Sequence, residues 1–489
     1  MGSIKRLFQH TFIYGLATVL PKLLTVLLTK LLTKYLPGEI EFGEVSIIFS
    51  YIIFANVILT YGMETAFFRF QNDERYREKT TSTAMVSLFG TTVLFVVLAY
   101  LFLEPISGST EIDARYLKWV IPVIALDTLM VIPFAKMRAD QKPRKYALIK
   151  MLNVVLSVGT TVLFFTALPS FPSVAQYLPE DRIELFFIAF LAANLITFIL
   201  ICGVYFSSWA FDRVLWKRML SYGWPILIAG LAFAVNETVD KILLQKFLPM
   251  SEADAEATVG IYTAGYRLAV GMTLFAQAFR LGVEPFFFSQ SGDKNAPAQY
   301  ALITKAYVAL GVIALFAYVL LVDLIRPLLV DDGFITAMDI VPVILIAYLF
   351  SGVYQTLSVW YKINDKTYYG AIISSIAAVL TITLNIIFIP KYGYYISAAA
   401  TCAAYGLMML ISYLWSRKHF PIPYEVGKLV GFLLLGIGAT IFFFYYIRAE
   451  YGVETLETYG IGSAMLLLLA GIVLYVERGS IYSLIKKRS

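Results

Sequence analysis

Apolar runs of roughly twenty residues, separated by short polar breaks, recur along the whole 489-residue chain. That is the length at which a helix crosses a hydrocarbon layer about 30 Å thick, and barrel strands would need half of it. The pattern predicts spans over 11–34, 44–66, 82–103, 117–135, 147–167, 184–206, 221–246, 259–281, 300–323, 340–361, 368–389, 395–415, 427–447 and 459–477. The expected fold is an all-α polytopic membrane protein of about 14 transmembrane helices. The first run follows Lys5 and Arg6, yet it contains Pro21, Lys22 and Lys30 and lacks a small-residue cleavage pattern. It is expected to remain as a span rather than be removed as a signal peptide.

The runs repeat. Tyr14-Gly15, Leu36-Pro37, Gly43 and Gly62-Met63-Glu64-Thr65-Ala66-Phe67-Phe68 return in the same order as Tyr222-Gly223, Leu248-Pro249, Gly260 and Gly282-Val283-Glu284-Pro285-Phe286-Phe287-Phe288. Val120-Ile121-Pro122-Val123-Ile124 of the fourth span is echoed by Ile340-Val341-Pro342-Val343-Ile344 of the tenth. Spans 1–6 and 7–12 thus read as two copies of one bundle. An even span number gives both the same orientation, related by a pseudo-twofold along the membrane normal. The expected division is a six-helix lobe over 1–212, a second over 213–418, and two C-terminal helices within 419–489. Such duplicated bundles place a substrate path between their halves, near the midplane.

Composition agrees with a membrane solvent: 59% of residues are hydrophobic and 15% charged, with a mean hydropathy of +0.75. Basic residues favour alternate loops by about three to one, which puts both termini on the cytoplasmic side. The net charge of +6 then reflects topology, and no nucleic-acid partner is expected. The opposite loops are acidic, with Glu39, Glu41 and Glu44 in the first and Glu252, Asp254 and Glu256 in the fourth. Cys202 and Cys402 are expected near opposite ends of their helices, an arrangement that opposes a disulfide.

A charge at mid-membrane is unfavourable by about 3 kcal/mol or more, so each one needs a role. Lys22 shares a helix face with Thr18, Thr25, Thr29 and Thr33. That face reads either as a cavity wall with a central cation able to meet a phosphate, or as a helix contact with Lys22 paired to a carboxylate. Arg267 in the eighth span reads either as cavity lining or as half of an ion pair. In the seventh span Glu237 and Lys241 can neutralise each other, leaving Asn236 and Asp240 as an ion-coupling site, as partners for the cations, or in a closed salt bridge. Asp127, between Pro122 and Pro133, is a candidate cation or proton site. Lys150 and Lys305 are expected to snorkel, and Asn194 and Gln277 to act as helix glue. Glu64 with Arg69, and Arg280 with Glu284, read as helix-end salt bridges or as an inner gate.

His10 and His419 both fall at the inner face, no outer loop could hold a polymerase domain, and neither a Walker motif nor a metal-ligand cluster occurs. The chain is expected to be no enzyme, with no catalytic residue, no metal and no cofactor.

Fourteen spans, the six-plus-six duplication, the Tyr-Gly opening, Gly62-Met63-Glu64-Thr65-Ala66-Phe67-Phe68-Arg69 and the basic loop before Tyr146 resemble bacterial polysaccharide and O-antigen flippases of the multidrug/oligosaccharidyl-lipid/polysaccharide (MOP) exporter superfamily. The resemblance implies alternating-access export of an undecaprenyl-pyrophosphate-linked oligosaccharide across the bacterial inner membrane, for lipopolysaccharide or polysaccharide biosynthesis. Membrane lipids, glycosyltransferases and a polysaccharide polymerase are the implied partners, H+ or Na+ the coupling ion, and a monomer the working state. Lys22, Thr25, Thr29, Asn236 and Arg267 would then line a cationic cavity. A lipid II flippase and a cation-coupled multidrug antiporter are the alternatives. The first typically carries arginines where this hairpin has lysines, and the second has twelve spans as a rule.

Overall fold

The computed structural model describes residues 29–36, 38–71, 73–206, 209–289, 295–364 and 366–486. The principal helices are α1 (Glu39–Thr60), α2 (Met63–Gln71), α3 (Arg77–Leu101), α4 (Ala114–Ala139), α5 (Pro143–Val162), α6 (Arg182–Ile201), α7 (Arg213–Phe247), α8 (Glu252–Leu268) and α9 (Val270–Ser289). They continue as α10 (Ala296–Leu329), α11 (Val341–Leu357), α12 (Tyr368–Tyr392), α13 (Tyr394–His419), α14 (Val426–Phe442) and α15 (Leu456–Lys486). Among the described residues every regular element is helical, as backbone polar groups in lipid require. Three helices start on aspartates whose carboxylates accept from the first free backbone N–H groups: Asp113 before α4, Asp181 before α6 and Asp212 before α7.

Eleven helical stretches among the described residues are long and apolar enough to cross a membrane. They coincide with expected spans 2–6 and 9–14. The first expected span falls mostly outside the described residues. The seventh lies within the 35-residue α7, which is long enough to cross but carries Glu237, Asp240 and Lys241 in its apolar stretch. The eighth departs from expectation, being divided between α8 and α9. Tyr318 causes the break: its hydroxyl donates to the Leu268 carbonyl at 2.7 Å, taking an acceptor at the point where the helix ends. Gly271 makes room for the intruding ring, since a Cβ there would lie 1.9 Å from it.

The chain folds as two compact units, one of residues 1–263 with 374–394 and one of residues 264–373 with 395–489. In the first, α4 packs on α3 and α6, and α1 runs along α7. The first copy of the Glu-x-x-Phe-Phe motif supplies core residues. Met63, Ala66 and Phe67 are fully buried with Ala84, Leu88, Ile132 and Leu215 from α3, α4 and α7.

In the second unit α10 is central, touching α9, α11, α14 and α15. The two C-terminal helices are pinned to α10 by a buried ion group towards each of its ends. Lys305 does not snorkel: its ammonium lies 2.5 Å from Glu425 and 2.9 Å from Glu477, and Lys428 joins the same carboxylates. Eighteen residues further along α10, about 27 Å at 1.5 Å per residue, Asp323 meets Arg448 at 2.7 Å with both side chains buried. Arg448 also stacks on Phe444 at 4.0 Å.

These two groups predict different responses. Asp323→Ala leaves Arg448 as an uncompensated buried charge, at a cost of about 3–5 kcal/mol. Lys305→Met costs less, because Lys428 still neutralises Glu425. Thermal unfolding in detergent should rank Asp323→Ala as the less stable, and the reverse ranking would contradict this account.

Candidate functional site

Asp127 lies at the centre of a polar network built by four helices of the first unit. Its Oδ2 accepts from Asn56 Nδ2 at 3.3 Å and its Oδ1 from Asn194 Nδ2 at 3.2 Å. Asn194 Oδ1 accepts from Asn153 Nδ2 at 3.2 Å, and the same amide donates to Thr197 Oγ1 at 2.9 Å. The amide oxygen of Asn56 is buried with no protein donor. Asn194, expected as inert glue, is therefore one of the two amides that hold Asp127. Lys150, on the next helix, rests its ammonium 4.1 Å above the Phe134 ring.

Asp240 is 2% exposed and is closed off by its own unit. Tyr262 donates to its Oδ2 at 2.5 Å. Lys241, expected to face Glu237, has its ammonium 3.3 Å from Asp240 Oδ1. The Asn236 amide is likewise taken at both ends by α12, donating to the Ser374 carbonyl at 3.0 Å and accepting from Thr381 Oγ1 at 3.1 Å. Glu64, expected near Arg69, forms its ion pair with Arg138 of α4, whose guanidinium also lies 4.8 Å from the Phe68 ring. Arg69 is exposed.

Lys22 and Thr25 lie outside the described residues, as does the side chain of Glu284. Thr29 is buried, 3% exposed. Arg280 lines a small pocket in the second unit.

Arg267 stands apart from the other buried charges. It is half-buried, one residue before the end of α8. Among the described residues no carboxylate lies within ion-pair distance of its guanidinium. Its neighbour Tyr266 is fixed by Thr401 Oγ1 at 2.8 Å and by the edge of Tyr348 at 6.2 Å. The broken helix thus presents a cation beside an anchored tyrosine, with no counter-charge among the described residues. The local sequence contains no sign of the Tyr318 contact that produces the break. The mid-span amides Asn56 and Asn153, by contrast, could have been found as polar residues in apolar runs.

Residues 7–283 match the family model described as "Polysaccharide biosynthesis protein". That is more than half of the chain, and the chain belongs to this family. A comparison with curated proteins finds no match. Solved structures share the fold. The lipid II flippase MurJ, in an inward closed conformation, aligns with a TM-score of 0.69 at 17% identity, over 96% of this chain and 100% of that one. A multidrug resistance MATE family transporter of the MOP superfamily, inward-facing, aligns at 0.61 and 13%, over 84% and 96%. A MOP superfamily transporter from Pyrococcus furiosus, noted for the reverse polarity of its binding pocket, aligns at 0.55 and 14%, over 87% and 96%. Family and fold together define a multi-pass membrane protein of this polysaccharide-biosynthesis family, with the fold seen in the MurJ and MATE transporters.

Proposed function

We propose that this chain is a flippase that carries an undecaprenyl-pyrophosphate-linked oligosaccharide from the inner to the outer leaflet of the bacterial inner membrane by alternating access. In this reading both termini are cytoplasmic, the protein works as a monomer, and it acts beside glycosyltransferases and a polysaccharide polymerase in O-antigen or other lipopolysaccharide synthesis. The single observation that carries the reading is Arg267, a half-buried arginine at a helix break with no carboxylate partner among the described residues. Guanidinium is the side-chain group best matched to diphosphate oxygens. The sequence offers Lys22, with Thr25 and Thr29, as a second cationic site for the same diphosphate. The test is rescue of surface glycan in a flippase-null strain by Arg267→Gln and Lys22→Ala proteins present at wild-type levels. Full rescue by both would refute the reading.

The coupling ion, H+ or Na+, is assigned to Asp127, whose carboxylate is held by amides and, among the described residues, by no cation in direct contact. Asp240, already engaged by Lys241 and Tyr262, is the weaker candidate. Asp127→Asn preserves shape and hydrogen-bonding size while removing the charge. In proteoliposomes it should make lipid-linked sugar translocation independent of an imposed H+ or Na+ gradient, with protein yield unchanged. Retained gradient dependence would move the coupling site elsewhere.

A further inference from the structure

Lys150 lies on α5 one turn before Asn153, at the edge of the polar network around Asp127. An ammonium in a membrane helix ordinarily reaches the headgroups or pairs with a carboxylate. Lys150 takes a third course. It is half-buried, and its ammonium is turned onto the Phe134 ring at 4.1 Å, a ring that is itself only 6% exposed. No described carboxylate lies within ion-pair distance of it. The charged groups that face it are Asp127 and Arg138 of α4 and Glu64 of α2. Glu64 and Arg138 are paired with each other, so Asp127 is the one uncompensated charge of the three. Asp127 in turn feels Lys150 through space, while its oxygens are held by the amides of Asn56 and Asn194. The site of a buried carboxylate thus has a cation of the same unit close by, and the two are kept apart.

We propose that Lys150 is a stand-off cation that sets how tightly Asp127 holds the coupling ion, with the Phe134 ring fixing its distance. The inference rests on the assignment of the coupling ion to Asp127 above. Transport requires a site that binds its ion firmly enough to load and weakly enough to release. A carboxylate withdrawn from water tends to hold a cation too firmly, and a fixed positive charge nearby opposes that hold. Direct contact would go too far, since an ammonium paired with Asp127 would itself fill the site. Phe134 separates the two demands. Cation–π attraction keeps the ammonium on the ring face, and the ring is carried seven residues, about 10 Å, along α4 from Asp127. The charge acts on Asp127 through a low-dielectric interior and leaves its oxygens open. Lysine suits this task because its charge is compact and its stem flexible. Removing the ring would let the ammonium move toward Asp127.

The test uses the full-length protein in detergent, its melting temperature titrated with NaCl against choline chloride at fixed pH and, separately, with acid in sodium-free buffer. A bound ion raises the melting temperature by mass action, and the part of the response that Asp127→Asn removes reports the site. Lys150→Gln should move the half-maximal point of that part to about tenfold lower ion concentration. Its translocation of lipid-linked sugar in proteoliposomes should slow, because the ion leaves more slowly. Phe134→Leu should move the half-maximal point the other way, to higher ion concentration. Lys150→Arg keeps the charge and should stay within about threefold of the wild type. A purely structural lysine would lower the melting temperature at every ion concentration and leave the half-maximal point where it was. An unmoved point in Lys150→Gln overturns the proposal, and so does a shift in the same direction for Lys150→Gln and Phe134→Leu. Either result leaves the assignment of the ion to Asp127 standing. If Asp127→Asn removes no part of the response to either ion, that assignment falls and the proposal falls with it.

Discussion

Arg267→Gln is expected to abolish glycan export while leaving the protein as heat-stable as the wild type. The two halves of this result have separate physical causes. A lost charge-assisted contact to a desolvated partner costs about 2–5 kcal/mol, which is about thirty-fold to several-thousand-fold in affinity or rate. Stability moves differently. Most of the buried charges described in these units have a partner that their removal would orphan: Asp323 has Arg448, Lys305 has two glutamates, and Asp240 has Lys241. Among the described residues Arg267 has no such partner, so its removal strands none of them and relieves a desolvated cation. Arg267→Lys keeps the charge but loses the bidentate fork, so export should be partly retained. Surface glycan in complemented flippase-null cells, normalised to membrane protein and set beside detergent melting curves, measures both halves. A fall in melting temperature comparable to that of Asp323→Ala, with export falling in proportion, would make Arg267 structural.

Local pattern carried most of the architecture, because a span is a property of consecutive residues. Apolar runs identify a membrane helix whatever surrounds it, and the eleven apolar crossings fall where the runs predict them. Partners are a property of neighbours that sequence spacing does not reveal. Lys305 near a helix end invited snorkelling, yet Glu425 and Glu477 arrive from more than a hundred residues away. Sequence spacing sets Glu64 beside Arg69, five residues on, whereas Arg138 reaches it from α4. The break after Arg267 is the clearest case, since nothing between 259 and 281 announces a hydroxyl arriving from Tyr318. Asp127 was legible as a buried charge, but the amides that hold it emerge only when α1, α4, α5 and α6 are packed together.

Gly43→Ala should be the most damaging methyl that can be added to this chain. Gly43 on α1 and Gly260 on α8 are equivalent positions of the sequence repeat, and in the first unit they face each other. A Cβ on Gly43 would lie 1.8 Å from the Glu256 carbonyl oxygen, and one on Gly260 would lie 2.0 Å from that of Glu39. Both obstacles are backbone, so no rotamer change relieves them, and the two helices must separate by about 1.5 Å to reach ordinary contact. Overpacking of this kind costs about 1–3 kcal/mol where side chains can yield, and more where they cannot. Two other glycines calibrate the effect. Gly230 would meet only the Val57 methyl at 3.1 Å, and Gly90 has nothing within 4 Å. Gly230→Ala should therefore be mild, and Gly90→Ala neutral or stabilising by up to about 1 kcal/mol through helix propensity. Melting temperatures should fall in the order Gly90→Ala, Gly230→Ala, Gly43→Ala, with Gly260→Ala matching the last. Export distinguishes a static clasp from a moving one. If the crossing stays closed throughout the cycle, export by Gly43→Ala tracks its folded fraction. If transport requires this crossing to open and close, correctly folded Gly43→Ala protein exports less than a tenth of the wild-type glycan, because a closed state made costlier by about 1.4 kcal/mol is already populated tenfold less.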